Sequence, residues 1–147
     1  MIRVTRRYRF SASHRLHSPA LSAEENRETY GKCNNPFGHG HNYVLCVSAA
    51  GPLDEISGRV LDPRTLDSLV ERVVLRPLDH RDLNTQAPEF ADGAQAPTSE
   101  CLAIVVRERL QRAWSETFPA GMPVLDHVHL EETKKNKFDL PSREHLS

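Results

Sequence analysis

The segment Gly38-His39-Gly40-His41-Asn42 sets two imidazoles two residues apart. On a strand, residues i and i+2 share a face, so His39 and His41 aim their rings at one volume while Gly40 leaves room opposite. Two imidazoles suit Zn²⁺ but need a further ligand. His14, just beyond an N-terminal strand, supplies one if the two strands are neighbours, and His17 competes for that role. Three neutral nitrogens leave a tetrahedral ion one open position, the pattern of a catalytic rather than a structural metal. The plain alternative is a pair of polar histidines at a strand entrance.

Other residues could work beside such an ion. Cys33 lies in the loop that enters the His39–His41 strand. A nearby cation would lower its pKa and make the thiolate a usable base, whereas without one it is a small buried hydrophobe. Asp79-His80 is a carboxylate beside an imidazole, a relay element if held on a connection and a solvated pair otherwise. Alternation over Val124–Glu132 puts Val124, Val128, Leu130 and Glu132 on the apolar side, with Asp126 the exception. A carboxylate placed there needs a partner, and the planar N–H/NH₂ edge of a ligand would satisfy Glu132 bidentately. Thr98, Ser99 and Glu100 open a helix whose free N–H groups either bind a polar ring edge or are simply capped. His127 and His129 form a second His-x-His on the polar side, where no third ligand is evident in the sequence, and are read as surface residues.

The elements that must position these groups are read from periodicity. Residues 2–12 predict a strand with Ile2, Val4, Tyr8 and Phe10 on one parity, broken by Arg6. Residues 18–37 predict a long loop, His39–Val47 a second strand, and Gly51-Pro52 a turn. Asp62-Pro63 starts a helix with the stripe Leu66, Leu69, Val70, Val73 and Val74, stopped by Pro77. Residues 81–97 read as irregular. A second helix from Thr98 or Ser99 turns Leu102, Val105, Val106, Leu110 and Ala113 inward. Val124–Glu132 and Lys137–Leu140 predict the last strands, and residues 141–147 a flexible tail on a single domain spanning residues 1–140. The order is α+β with an antiparallel sheet.

Composition narrows the function. Nineteen Lys and Arg against twenty Asp and Glu leave a net charge of -1, so no basic excess favours nucleic acid. The longest apolar run, Leu102–Val106, is too short for a bilayer span, and the first ten residues carry charges where a signal peptide needs an apolar stretch. Three cysteines without a C-x-x-C pair fit a reducing compartment. The expectation is a soluble cytoplasmic protein with neither a nucleic-acid nor a membrane partner.

Taken together, Phe10–Leu16, His17–Asn26, Gly31–Tyr43, Pro77–His80, Phe90–Asp92, Thr98–Glu100 and Glu132-Thr133 resemble the 6-pyruvoyl-tetrahydropterin synthases, in order and over nearly the whole chain. The resemblance implies a zinc enzyme, a lyase, acting on 7,8-dihydroneopterin triphosphate, with Mg²⁺ accompanying the triphosphate. It implies that His14, His39 and His41 hold zinc and that Cys33, Asp79 and His80 form a proton relay, the last two from another subunit. Glu132 would anchor the pterin, with Thr98, Ser99 and Glu100 lining its pocket. It further implies the tunnelling fold, a four-stranded antiparallel sheet with two helices on one face, assembled as a homohexamer of two stacked trimers. A sister branch, the 6-carboxytetrahydropterin synthases of queuosine biosynthesis, releases acetaldehyde as well as triphosphate. Many of its members place the cysteine four residues before the first His of H-G-H; here the step is six. Pro97–Glu100 looks more like that branch, and Cys101 stands where both usually carry Asn. A module that binds pterin or metal without turnover would be expected to lack Cys33, Asp79 or His80, and all three are present.

Overall fold

The protein is described by a computed structural model over residues 1–93 and 95–142. In chain order the elements begin with β1 (Ile2–His14), α1 (Ala23–Tyr30), a 3₁₀ turn at Gly31–Asn34 and β2 (His39–Gly51). There follow α2 (Pro63–Val70), a π turn at Glu71–Leu75, α3 (Arg76–Leu78), β3 (Arg81–Asp82) and α4 (Leu83–Gln86). The chain then forms α5 (Ser99–Thr117), β4 (Val124–Thr133) and β5 (Asn136–Pro141).

The strands make one sheet in the order β3-β1-β2-β4-β5. The α+β class is as expected, but the sheet has five strands and is mixed. The four long strands pair antiparallel, and the short β3 runs parallel to β1. That extra strand exists because the chain leaving α3 is drawn against the first strand. The His80 N–H donates to the Ser11 carbonyl at 2.6 Å, and the Ser11 N–H donates to Asp79 Oδ1 at 2.8 Å.

Pairing of β1 with β2 runs from Ile2↔Gly51 to His14↔His39, so the first strand carries His14 itself. β2 outlasts its predicted end because the added residues, among them Ala49 and Ala50, are small and buried, and β1 runs on through the pairing of Ser13 and His14 with Gly40 and His39. Arg6, the break in the β1 alternation, has a partner on α2. Its Nε and Nη2 donate to Asp67 at 2.7 and 2.9 Å, and the Tyr8 hydroxyl donates to the same carboxylate at 2.7 Å. Arg6 in turn holds the Asp67 carboxyl below the ordinary carboxylate range.

Helix α2 starts at the predicted cap, the Asp62 side chain accepting from the Arg64 N–H, and buries Leu66, Leu69 and Val70. Pro77 has no N–H for the carbonyl of Val73, and Arg109 Nη1 donates to that oxygen instead at 3.1 Å. The helix loosens into its π turn there and ends at Leu78. Helix α5 is capped by the Thr98 hydroxyl, which accepts from the Cys101 N–H, and packs Leu102, Val106 and Leu110 onto the sheet core.

Three further expectations need correction. Pairing shifts between Ser48 and Ala49, so Ser48 faces His127 while Ala49 faces Leu125. Asp126 is a bulge residue, and Leu125, 2% exposed, faces the core in place of Val124. The 18–37 segment is also no plain loop. Ser22 and Glu25 form a reciprocal capping box that starts α1. The predicted tail begins inside structure: Pro141 belongs to β5 and the Ser142 N–H donates to the Asp126 carbonyl at 3.0 Å. Residues 143–147 lie outside the described residues.

Helix α1 is too polar to dock by an apolar face, and its only buried residue is Asn26. The Asn26 amide accepts from the Ser18 N–H at 2.7 Å and donates to the carbonyls of Ser18, Leu21 and Ser22. Asn26→Ala takes the side-chain partner from the Ser18 N–H and the Leu21 carbonyl, while the Ser18 and Ser22 carbonyls keep backbone donors, and should lower the unfolding free energy by about 2–4 kcal/mol, read by urea titration. A loss no larger than that of an exposed residue would show that water replaces the amide.

Candidate active site

Three strand ends converge at one edge of the core. The β1–β2 register places His14 beside His39 and Ala12 beside His41, and β4 continues past the Val44↔Glu131 pair to Glu132. By parity His14, His39, His41, Tyr43 and Glu132 all belong to the core face. The 3₁₀ turn brings Cys33 over them. It is tied down by the Leu16 N–H donating to the Cys33 carbonyl at 2.7 Å and by Asn34 Nδ2 donating to the Leu16 carbonyl at 2.6 Å.

The His14 ring is 1% exposed, and its Nδ1 donates to the Pro97 carbonyl at 2.8 Å. That bond sets the proton on Nδ1 and leaves the Nε2 lone pair pointing inward. His14 Nε2 lies 3.0 Å from His41 Nε2, which lies 2.9 Å from Glu132 Oε1. One ligand atom from each of His14, Cys33, His41 and Glu132 falls within 4.8 Å of all the others. Two imidazoles, a thiol and a carboxylate are a donor set for a divalent transition metal.

Burial pushes both His14 and His41 below the ordinary imidazole value, with the Glu132 carboxylate opposing it in each. Burial, and then Glu132, push the Cys33 thiol up. A cation in this group would reverse the pressure on Cys33, since it stabilises the thiolate directly.

The expected site residues are not all gathered. His39 is exposed, its ring edge-on to His41 with 4.6 Å between centroids. His17 Nδ1 is turned to Asn34 Nδ2 at 3.2 Å, outside the group. Thr98 is spent on its cap, and Ser99 is 4% exposed with its hydroxyl buried. Glu100 is exposed. Asp79 and His80 stand at the sheet edge, their side chains 38% and 82% exposed and 3.6 Å apart between Oδ2 and Nε2. His80 borders a recess at that edge with Arg7, Arg9, Ser11 and Glu132.

Two contributors were not picked out from the sequence. The Pro97 carbonyl is backbone and has no sequence signal. Tyr43 had one, since it continues the parity of His39 and His41. Its hydroxyl is buried, the ring stacks on Phe10, and burial raises its pKa against the neighbouring Ser99 side chain, with Glu132 and Cys33 adding to the rise. A cleft of about 510 Å³ adjoins His39 and is lined by Arg15, His17, Arg27 and Lys32 among others.

The family model described as 6-pyruvoyl tetrahydropterin synthase matches residues 3–146. The chain is 44% identical over 133 residues to the 6-pyruvoyl tetrahydrobiopterin synthase of Poecilia reticulata, covering 90% of this chain and 85% of that one. The solved structure of the Caenorhabditis elegans 6-pyruvoyl tetrahydropterin synthase is 42% identical, with a TM-score of 0.84 across 96% of this chain and 95% of that one. A probable 6-carboxy-5,6,7,8-tetrahydropterin synthase of Halobacterium salinarum is 30% identical over 125 residues, 76% of this chain and 71% of that one. Among the described residues no helix is long and apolar enough to cross a membrane.

The depressed imidazoles fix a pH dependence. Below the ordinary value of 6.5 the unfolded chain binds protons that folded His14 and His41 refuse, so stability rises with pH. For metal-free protein the unfolding free energy should be full above about pH 7 and fall as pH drops below 6.5 through the depressed values. His41→Gln should flatten that decline in urea titrations, and an unchanged slope would mean that His41 titrates normally.

Proposed function

The chain belongs to the 6-pyruvoyl tetrahydropterin synthase family, and from that membership we infer that it converts 7,8-dihydroneopterin triphosphate to 6-pyruvoyl-tetrahydropterin with loss of triphosphate. The observation that carries this reading is the near-complete match to pyruvoyl-branch relatives, with a thiol and a carboxylate packed against paired imidazoles in this chain. The lower identity to the carboxy-branch relative favours the pyruvoyl product.

His14, His39 and His41 would hold the zinc that the family implies. The donor chemistry fits, because the His14–Pro97 bond leaves Nε2 free to ligate and His41 faces the same point. Bound there, zinc supplies a Lewis acid for the hydroxyls of the substrate side chain. Glu132 accepts the N–H/NH₂ edge of the pterin, and the buried hydroxyls of Tyr43 and Ser99 complete its polar contacts. Thr98 and Glu100 flank this wall. The cleft of Arg15, Arg27 and Lys32 receives the triphosphate, with Mg²⁺ as its counterion.

Cys33 removes a proton from the side-chain carbon and His80, oriented by Asp79, returns one at the neighbouring carbon. The side chain passes two electrons to the C6=N5 bond of the dihydropterin ring, which becomes tetrahydropterin as the C–O bond to triphosphate breaks, so no outside oxidant is needed. Asp79 and His80 lie exposed at the sheet edge, and the family resemblance has the relay completed by a second subunit, in a hexamer of two stacked trimers. The unpaired cysteines suit a cytoplasmic enzyme.

Anaerobic incubation with 7,8-dihydroneopterin triphosphate and Mg²⁺, with products identified by mass, should give 6-pyruvoyl-tetrahydropterin. A carboxytetrahydropterin with acetaldehyde would move the chain to the sister branch, and unchanged substrate would sink the assignment. Cys33→Ala should keep its metal and lose turnover by about 10²-fold or more, whereas a binding module would be indifferent. Mixed assemblies of Cys33→Ala with His80→Ala should regain activity that neither variant shows alone. Tyr43→Phe should raise KM while changing the stability of the unliganded protein by less than about 1 kcal/mol, since the hydroxyl it removes has only the neighbouring Ser99 side chain beside it.

A further inference from the structure

His127 and His129 take no part in the site described above. They stand on the outer face of β4, and the fold supplies the ligand that the sequence did not reveal. The β4–β5 register sets Asp139 opposite His129. Asp139 Oδ1 lies 3.4 Å from His127 Nε2 and 3.9 Å from His129 Nδ1. In a tetrahedral site with bonds of about 2.0 Å, ligand atoms stand roughly 3.3 Å apart, close to the first of these distances.

The second nitrogen of His129 is also accounted for, since Nε2 lies 3.3 Å from Glu131 Oε1. A carboxylate behind an imidazole holds the proton on the far nitrogen and leaves the near lone pair for a cation, the usual support of a metal-bound histidine. The bulge at Asp126 sets a further carboxylate 3.6 Å from His127 Nδ1, where it pairs with Arg3. Three carboxylates in the cluster meet two cationic partners, Arg3 on Asp126 and Lys137 at 3.5 Å from Glu131. The balance with neutral imidazoles is one negative charge, and a nitrogen of each ring faces the same carboxylate oxygen. Cys46 is paired with His129 on its other side, which adds a soft donor to the row.

We propose that His127, His129 and Asp139 form a second site for a divalent transition metal, with Glu131 orienting the His129 imidazole. It is more open than the group around His14, and closing it takes side-chain rotation at Asp139, which is 61% exposed.

Equilibrium dialysis of the full chain against Zn²⁺, with metal counted by atomic emission, tests the proposal. Wild type should bind two ions per chain, while His129→Gln and Asp139→Asn should each bind one at the same free Zn²⁺. His41→Gln should also bind one, and the double variant His41→Gln/His129→Gln none. Glu131→Gln should weaken the second ion by about 10–100-fold, the loss expected when an imidazole loses its backing. A second ion retained in both His129→Gln and Asp139→Asn overturns the proposal, as does a single wild-type ion that disappears with His41→Gln. A single ion that survives His41→Gln and disappears with His129→Gln supports it and removes the first site instead. Circular dichroism of the outer-face variants keeps loss of metal separate from loss of fold.

Discussion

One hydrogen bond, from His14 Nδ1 to the Pro97 carbonyl, fixes more of this site than any other contact. An imidazole that is 1% exposed cannot leave a donor unpaired without a cost of about 1–3 kcal/mol. Satisfying it on one side decides the tautomer, and the lone pair is then committed to the other side. The same bond joins the end of β1 to the residue before the α5 cap. The position of Ser99 and the orientation of His14 are therefore set together. With β1 pinned there, the register puts His39 and His41 on the same face, and the Leu16–Cys33 bond brings the 3₁₀ turn over it.

What this arrangement encloses is electrostatically unfinished. Burial disfavours charge on both imidazoles and on the Cys33 thiol, while the Glu132 carboxylate works against burial at the histidines and with it at the cysteine. Neither His14 nor His41 is driven to protonate, so Glu132 gains no full counter-charge from its neighbours. A cation centred on these atoms would relieve all of these pressures at once. The buried hydroxyls of Tyr43 and Ser99, with only each other beside them, point the same way for a polar ligand, because buried hydroxyls are nearly always hydrogen-bonded.

Side-chain parity made the inward set legible, since the two-residue period of a strand is read straight from sequence. His39, His41 and Glu132 follow from it, as do the stripes of α2 and α5. Helix α1 was hidden because it buries a single asparagine and no apolar face, although Ser22 and Glu25 carried its start signal. The bulge at Asp126 was hidden for a different reason. The sequence marks Asp126 as an exception, but whether the chain tolerates it or skips a residue depends on the pairing with Ser48 and Ala49. The sheet edge to which Asp79 and His80 are drawn was likewise invisible, because β3 is two residues long and is held by its pairing with Ala12 and Ser13 and by the contacts of Asp79 and His80 with Ser11.

Two His-x-His pairs on neighbouring strands show how face decides chemistry. At His39 and His41 the pair continues a core parity, so His41 is shielded by Tyr43 and the His14 ring, and its partners are a buried imidazole and Glu132. Desolvation dominates there and keeps the ring neutral. At His127 and His129 the same spacing falls on the opposite parity from Val128 and Leu130, so the rings point outward among carboxylates of β4 and β5. Their side chains are 31% and 29% exposed, Asp139 stands near both, and Glu131 backs His129. The first pair suits a cation because the pocket excludes water around it, the second because the surrounding charge is negative. The spacing alone is identical, and what separates the two environments is which face of its strand each pair occupies.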